Sequence, residues 1–507
     1  KKSVYLLKSK RVRCDFHFVD QNCNPSQIMS SSSSQRNSTT EPMGRLVGGT
    51  ECSWCKSVPS GTGITVMSFL FSRDIDKEAL ESAVQFLQNC HPILKACILF
   101  DPSRNSYVFD PSSSYASIRY FDETETANTT LATGRTGDDQ PGDVQEKFHL
   151  LLEHELNKND WSCDNEDKAW DLLFISVYAL GEGNHALLLR AHTAGCDLSS
   201  AVTLMRELES LYFAGDEKKM KIVSESEYNP AMEELIPRDK ANKPFWKRGV
   251  DVLGYSLNSF RFSNIEFIDP TSTRRSQVLR LKLNLEETQS LLAACEARSI
   301  KLFGALIAAS FIAARSTKNI PKDLKEKFAS VTLIDCRSIL DPSLRNNQMG
   351  FYHSAIMNSH DVSENDELWE LAIRCHSSVV NMKKCNKHLT DIRDVNMLMN
   401  MAIDKPSLTV CGAVRTTFVS VFEESVIEEC RLSDMESVGI IDRIGCSSVH
   451  GIGPSIAIYD SVRDGQLDCA CVYPSPLHSR EQMDKLVQDM KTILVNGCCP
   501  DITNGVC

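Results

Sequence analysis

The order of hydrophobic periods constrains this chain most. Two-residue and 3.6-residue patterns are interleaved on both sides of one proline-bearing segment. On the first side, "TGITVMSFLFSR" reads as a strand, and "DKEALESAVQFLQNCHPIL" as a helix with Leu80, Val84 and Leu87 on one face. Pro92 stops that helix, and "KACILF" gives the next strand. "WDLLFISVYAL" and "NHALLLRAH" form a hairpin over "GEGN". From Leu198 the apolar positions Ala201, Val202, Met205, Leu208 and Tyr212 keep helical spacing, with Asp197 or Ser199 as cap. On the second side, "SQVLRLKLN" reads as a strand, "LEETQSLLAACEARSI" and "KLFGALIAASFIAARS" as helices, and "FASVTLIDCRSIL" as a strand. The pattern is α/β or α+β. Gly215, Pro230, Pro237 and Pro244 mark the segment between the halves. The stretch Asp122 to Gly142 lacks a period and is expected as an exposed loop.

With 507 residues, the chain is long enough for two or three domain-sized units. The expected division is an extension at 1–43, a first lobe at 44–215, a linker at 216–250 and a second lobe at 251–507. Residues 1–28 carry no clear period, and the natural start is expected at Met29, ahead of a flexible serine run. A net charge of −12 without a basic cluster argues against a nucleic-acid partner. The longest apolar run, Leu302 to Ala314, is interrupted by Gly304 and Ser310 and reads as a buried helix, so no membrane span is expected. Twenty scattered cysteines without a secretion signal are expected as reduced thiols in a cytoplasmic protein. The single CxxC, Cys52 to Cys55, has no second pair to complete a zinc site and lies in what reads as a glycine-rich loop. No metal site is expected.

The chemistry concentrates in "RAHTAGCDLSSAVTLMREL", a strand, a turn and a helix. This stretch resembles the motif region of the CoA-dependent acyltransferase superfamily, which includes chloramphenicol acetyltransferase and peptide-synthetase condensation domains and shares HHxxxDG or HxxxD. "GRLVGGTECSW", "NCHPILKACI", "NNQMGFYHSAI" and the ending from "SSVHGIGPS" follow in the family's order. The ending looks like that of plant condensation-domain or alcohol-acetyltransferase-like proteins. The DFGWG signature of plant BAHD enzymes is missing, which places the chain outside that group. The resemblance implies two chloramphenicol-acetyltransferase-like lobes with an interlobe tunnel. It also implies acyl-CoA as co-substrate, a small-molecule acceptor, no bound cofactor and a monomer.

In that family the motif histidine is the general base, and the aspartate holds the loop, commonly through an arginine. Here four residues separate His192 from Asp197, where HxxxD allows three. Either His192 is the base beside a one-residue insertion, or "HTAGCDLSS" lies on HHxxxDGxS and Thr193 stands at the base's position. The second register needs no insertion and is preferred. Neighbouring strand residues face opposite ways, so only one of the two lines the tunnel. A threonine hydroxyl does not take up a proton at neutral pH.

His353 in "MGFYHSAI" and His450 in "SSVHGIGPS" are the candidate substitute bases. The plain alternatives are a half-buried strand residue and a surface histidine in a tight turn. Arg337 resembles the arginine after a strand in many family members, and is expected to pair with Asp197 or to contact donor phosphates. Cys196 is a packing residue unless its pKa is lowered. Three functional readings stay open: an acyl-CoA-dependent O- or N-acyltransferase for a small hydrophobic acceptor, a degenerate relative that binds a metabolite or protein in the retained tunnel, and an enzyme of this fold with other chemistry.

Overall fold

The computed structural model describes residues 44–498 apart from 112–113, 135–141, 163–168, 215–227, 242–261, 319–320, 322–323, 410–411 and 429–438. The expected extension and much of the expected linker therefore lie outside the described residues.

The first half forms α1 (Gly49–Ser57), β1 (Thr62–Phe71), α2 (Lys77–Cys90), β2 (Ala96–Asp101), β3 (Ser106–Pro111), β4 (Ile118–Phe121), α3 (Glu123–Thr133), α4 (Val144–Asn157), β5 (Leu173–Gly181), β6 (Asn184–His192) and α5 (Leu198–Ala214). The second forms β7 (Arg275–Lys282), α6 (Leu285–Ala297), α7 (Leu302–Ser316), β8 (Glu326–Asp335), β9 (His353–Val362), α8 (Leu368–Lys384), α9 (Ile392–Asp404), β10 (Arg415–Phe422), β11 (Val426–Glu428), β12 (Ile440–Val449), β13 (Gly453–Arg463), β14 (Gln466–Ser475) and α10 (Arg480–Asn496).

Helices cover the main sheet of each lobe, and β2 and β3 belong to a smaller four-stranded sheet in the first. The larger first-lobe sheet has the order β12-β1-β6-β5-β4, and the second-lobe sheet runs β9-β8-β10-β13-β14-β7 with β11 beside β13. β12 comes from the second half of the sequence yet pairs antiparallel with β1, Ser447 opposite Thr65 and Gly445 opposite Met67. Its Ile444, Cys446 and Val449 are buried in the first-lobe core. The second core packs α7, α8 and α10 on the other face of the second sheet, with Phe311, Phe328 and Phe418 at its centre. The apolar run at Leu302 is the buried helix α7, and no single helix among the described residues is long and apolar enough to cross a membrane.

Two sequence expectations are corrected. The Asp122 stretch opens as α3. The Asp122 carboxylate accepts from the Glu125 amide at 2.9 Å, and the Glu125 side chain reaches back to the Asp122 amide at 3.0 Å, a capping box that outweighs the poor threonine-rich helix. The CxxC region is also helical. α1 has little amphipathic character, and distant polar groups hold it. Buried Glu51 takes two bonds from Arg45 (2.8 and 2.6 Å), while Glu233 accepts from the Thr50 amide and hydroxyl at 2.7 and 2.6 Å. The cysteines among the described residues are all free thiols.

Charged and polar contacts join the lobes at both ends of the cleft between the sheets. At one end Asn157 and Ser276 exchange side-chain and backbone hydrogen bonds at 2.7 and 2.8 Å. At the other, Arg443 on β12 meets Glu209 of α5 at 2.5 Å and Glu428 of β11 at 2.9 Å, and Arg280 meets Asp442 and Asp468 at 3.1 and 2.8 Å.

One buried acid stands outside every network. By strand alternation Asp460 shares the face of Ile456 and Ile458, and it lies opposite Cys469. It sits beside the gap where β10 has ended and β11 has just begun. Neither carboxyl oxygen has a hydrogen-bond partner among the described residues. Burial raises its pKa to about 6, and the nearby Ser425 hydroxyl tempers the shift. The folded pKa lies above the unfolded value of about 4. The folded protein therefore binds more protons in that window and loses stability as pH rises through it. Asp460→Asn should be more stable than the parent at pH 8 by on the order of 1–3 kcal/mol in urea unfolding, with the gain fading toward pH 4. A variant no more stable at pH 8 than at pH 4, relative to the parent, contradicts this.

Candidate active site

β6 runs antiparallel to β1 and ends at His192, opposite Ile64. The chain then makes one 3-10 turn, Thr193–Gly195, and enters α5. The His192 ring turns into the first-lobe core. Its Nδ1 accepts from the Ala194 amide at 3.1 Å and caps the turn, and Trp161 meets it edge-on at 5.4 Å. Its Nε2 is buried without a partner among the described residues. Burial pushes its pKa down to about 3, so the ring is neutral at working pH.

Thr193 faces the other way and lines a cavity of about 160 Å³ between the sheets. Its Oγ1 donates to the Gly63 carbonyl at 2.6 Å. That commits its proton, so the contact with Thr65 Oγ1 at 2.8 Å runs from Thr65 to Thr193. The same count makes Ser447 the donor to Thr65 at 2.8 Å. Three hydroxyls thus point one way and end on a carbonyl, which has no use for another proton. Gly63 has φ +92°, and a Cβ there would lie 2.8 Å from Trp54 and 3.2 Å from Thr193 Oγ1, so the close approach requires glycine.

Asp197 receives five hydrogen bonds. Oδ1 accepts from the Ser200 amide, which caps α5, and from Arg337 Nη2, both at 2.9 Å. Oδ2 accepts from Arg337 Nη1 (2.9 Å), the Tyr352 amide (2.8 Å) and His353 Nδ1 (2.9 Å). Burial opposes its charge, but the Arg337 guanidinium and then His353 hold the carboxyl far below the usual carboxylate range. Arg337 is 1% exposed and spends all its N–H groups on Asp197, Asp335, Ser200 and the Gln348 carbonyl. It pairs with Asp197 and keeps no donor for a phosphate.

His353 begins β9 and lines the same cavity as Thr193. Because Asp197 is ionised, the Nδ1 proton points at it, and the lone pair sits on Nε2. Nε2 has no partner among the described residues and, unlike that of His192, is not sealed. Phe422 stands edge-on to the ring at 5.7 Å, and Phe351 lies 5.3 Å from Trp54. Aromatic and aliphatic walls therefore surround one imidazole and the hydroxyl chain.

His450 lines a second cavity of about 780 Å³, at the end of the cleft where Pro59 to Gly61 meets Arg274 to Gln277. Its Nδ1 is 3.0 Å from Ser276 Oγ and its ring packs against Gly61, so it is not a surface histidine. Burial, then Arg415 and Arg275, lowers its pKa to about 4. Behind this wall lies buried Arg415. It donates to the carbonyls of Ala413, Val449, Gly451 and Pro454 and has no carboxylate partner among the described residues. Burial pushes the Cys196 thiol well up, so it is no nucleophile. Among the described residues no cluster could hold a metal.

The structure brings together Thr193, Asp197, Arg337 and His353 and leaves His192 and His450 outside. Sequence reasoning did not find Thr65, Ser447, Trp54 or Phe422. The first two meet only because β12 crosses between lobes. Phe351 adjoins the noted His353 stretch and was within reach.

No family model and no curated protein matches the chain. Solved structures do. TRI3 trichothecene 15-O-acetyltransferase from Fusarium sporotrichioides superposes with TM-score 0.64 at 13% identity, covering 89% of this chain and 94% of that one. The first condensation domain of the calcium-dependent antibiotic synthetase gives 0.59 at 13%, covering 90% and 96%. Polyketide synthase associated protein 5 from Mycobacterium tuberculosis gives 0.56 at 17%, covering 90% and 98%. At such identities the likeness establishes the fold alone, a two-lobed α/β architecture shared with that acetyltransferase and that condensation domain.

Asp197→Ala should lower unfolding free energy by about 3–5 kcal/mol, because it strands the buried Arg337 charge. Asp197→Asn should cost less, since it can still cap α5. Urea denaturation measures both. An alanine variant as stable as the parent that has lost only turnover would show that Asp197 is not structural.

Proposed function

We propose that this protein transfers an acyl group from a CoA thioester to the hydroxyl or amine of a small hydrophobic acceptor, with His353 as general base in place of the residue at position 193. The observation that carries this reading is the Asp197–His353 contact inside the cavity. A carboxylate fixes the tautomer, and the free Nε2 lone pair belongs to a ring that shares its cavity with the motif turn.

Nε2 takes the proton of the acceptor as its oxygen or nitrogen attacks the thioester carbonyl. The tetrahedral intermediate collapses with cleavage of the C–S bond, and the thiolate takes the proton back from the imidazolium. The products are the acylated acceptor and free thiol. Thr193 takes no part in proton transfer, because its proton and one lone pair are committed.

The larger cavity supports entry of the donor at its end of the cleft. Lys158, Arg274 and Arg275 line it beside Glu153, and Arg415, which has no carboxylate partner among the described residues, lies behind the wall. Phosphate groups suit such a site. Donor affinity should therefore fall with rising salt, and Arg275→Ala should raise KM for the donor with little change in kcat.

A panel of acyl-CoAs and alcohols or amines, read by free-thiol release, tests the activity. His353→Ala and His353→Asn should each lose about two to four orders of magnitude in kcat. The asparagine variant keeps a donor for Asp197 and should melt near the parent. His192→Ala should leave the kcat of the folded fraction nearly unchanged. A several-hundred-fold loss in His192→Ala at normal melting temperature would return the base to His192. Absence of transfer from every donor, with ligand binding retained, would favour the reading in which the cleft only binds.

A further inference from the structure

We infer that Met205 and Gly445 form a size filter, which restricts the group seated beyond His353 to about one aromatic ring or a branched chain of similar bulk. This rests on the transfer reading for its chemistry but not for its geometry. The cavity measures about 160 Å³. A buried apolar cavity of about 150 Å³ holds one benzene. Its lining includes Leu198, Val202 and Phe422 together with Met205, which suit an apolar group.

The filter follows from register. β12 carries Val449 at the basic end of the cleft, Ser447 beside Thr65, and then Gly445. At a strand rise of about 3.4 Å per residue, Gly445 lies about 7 Å beyond the hydroxyl chain. Met205 on α5 faces it. A Cβ at Gly445 would stand 3.6 Å from Met205 Sδ and touch nothing else within 4 Å. Helix and strand therefore come close here, one contributing a flexible thioether and the other no side chain. Gly445 is not in the left-handed region, so a larger residue meets no backbone strain there. It would project toward Met205 and narrow the cavity. Met205→Ala would lengthen it.

The group could be carried by the donor or by the acceptor. The test uses the full-length parent, Met205→Ala and Gly445→Val, with Gly445→Ala as the milder variant should valine impair folding. One arm holds the acceptor fixed and compares butyryl-, benzoyl- and naphthoyl-CoA. The other holds an acetyl donor fixed and compares benzyl alcohol with naphthylmethanol. In the arm that carries the group, the parent should prefer one ring over two by about tenfold or more in kcat/KM. Met205→Ala should erase most of that preference. Gly445→Val should lose one-ring substrates about tenfold and keep the smallest. Thermal shift with benzyl alcohol and naphthylmethanol reads the same filter without turnover. A protein that transfers nothing but shows this shift pattern refutes the transfer reading and supports the filter. Size preferences left unchanged by both substitutions, in both arms and in the thermal shift, overturn the filter.

Discussion

The Asp197–Arg337 pair organises this molecule. It is a bidentate ion pair, both side chains are buried, and it spans the two lobes. Such a pair gains little net stability by itself, because desolvation offsets much of the Coulomb attraction. What it supplies is position. The same carboxylate caps α5, receives the Tyr352 amide and orients His353. One group thus sets the helix entry, the approach of β9 and the direction of the imidazole. The Tyr352 ring lies 4.8 Å from the guanidinium and belongs to a small apolar cluster with Cys336 and Leu340.

That arrangement separates the architectural aspartate from the residues that precede it. The turn after β6 keeps its architectural part, the aspartate and the capped helix. Neither neighbouring side chain is placed to accept a proton, since Thr193 ends a one-way chain of hydroxyls and His192 serves as a neutral cap inside the core. The histidine beside Asp197 now lies in the other lobe. Charge also differs along the cleft. An arginine without a counter-ion among the described residues lies behind one end, while arginines and carboxylates are paired at the other.

Much of this was legible in the sequence, for physical reasons. Strands and helices with clear periods were readable because burial of one face imposes those periods, as in β1, β6, α2 and α7. The Asp197 cap and the opposite facing of His192 and Thr193 follow from local geometry alone. What escaped reading depends on distant partners. α1 has no apolar face, and Thr50–Glu233 and Arg45–Glu51 hold it. α3 was missed although its capping box was in view, because threonines blur the period. β12 alternates as a strand, but nothing local says that it joins the first lobe's sheet, and the Ser447–Thr65 bond spans 382 positions. His450 reads as exposed because a Gly-rich turn hides the packing against Gly61 that half-buries it.

The account turns on which imidazole holds an available lone pair. Nitrogen NMR of protein labelled with 15N in its histidine rings, assigned with single variants and followed from pH 5 to 9, measures this directly. The account predicts that His353 is protonated on Nδ1 when neutral, with that proton shifted by Asp197, and that His192 stays neutral throughout, its pKa having been driven to about 3 by burial. A His353 that carries its proton on Nε2, or a His192 that takes up a proton between pH 6 and 7, would contradict it.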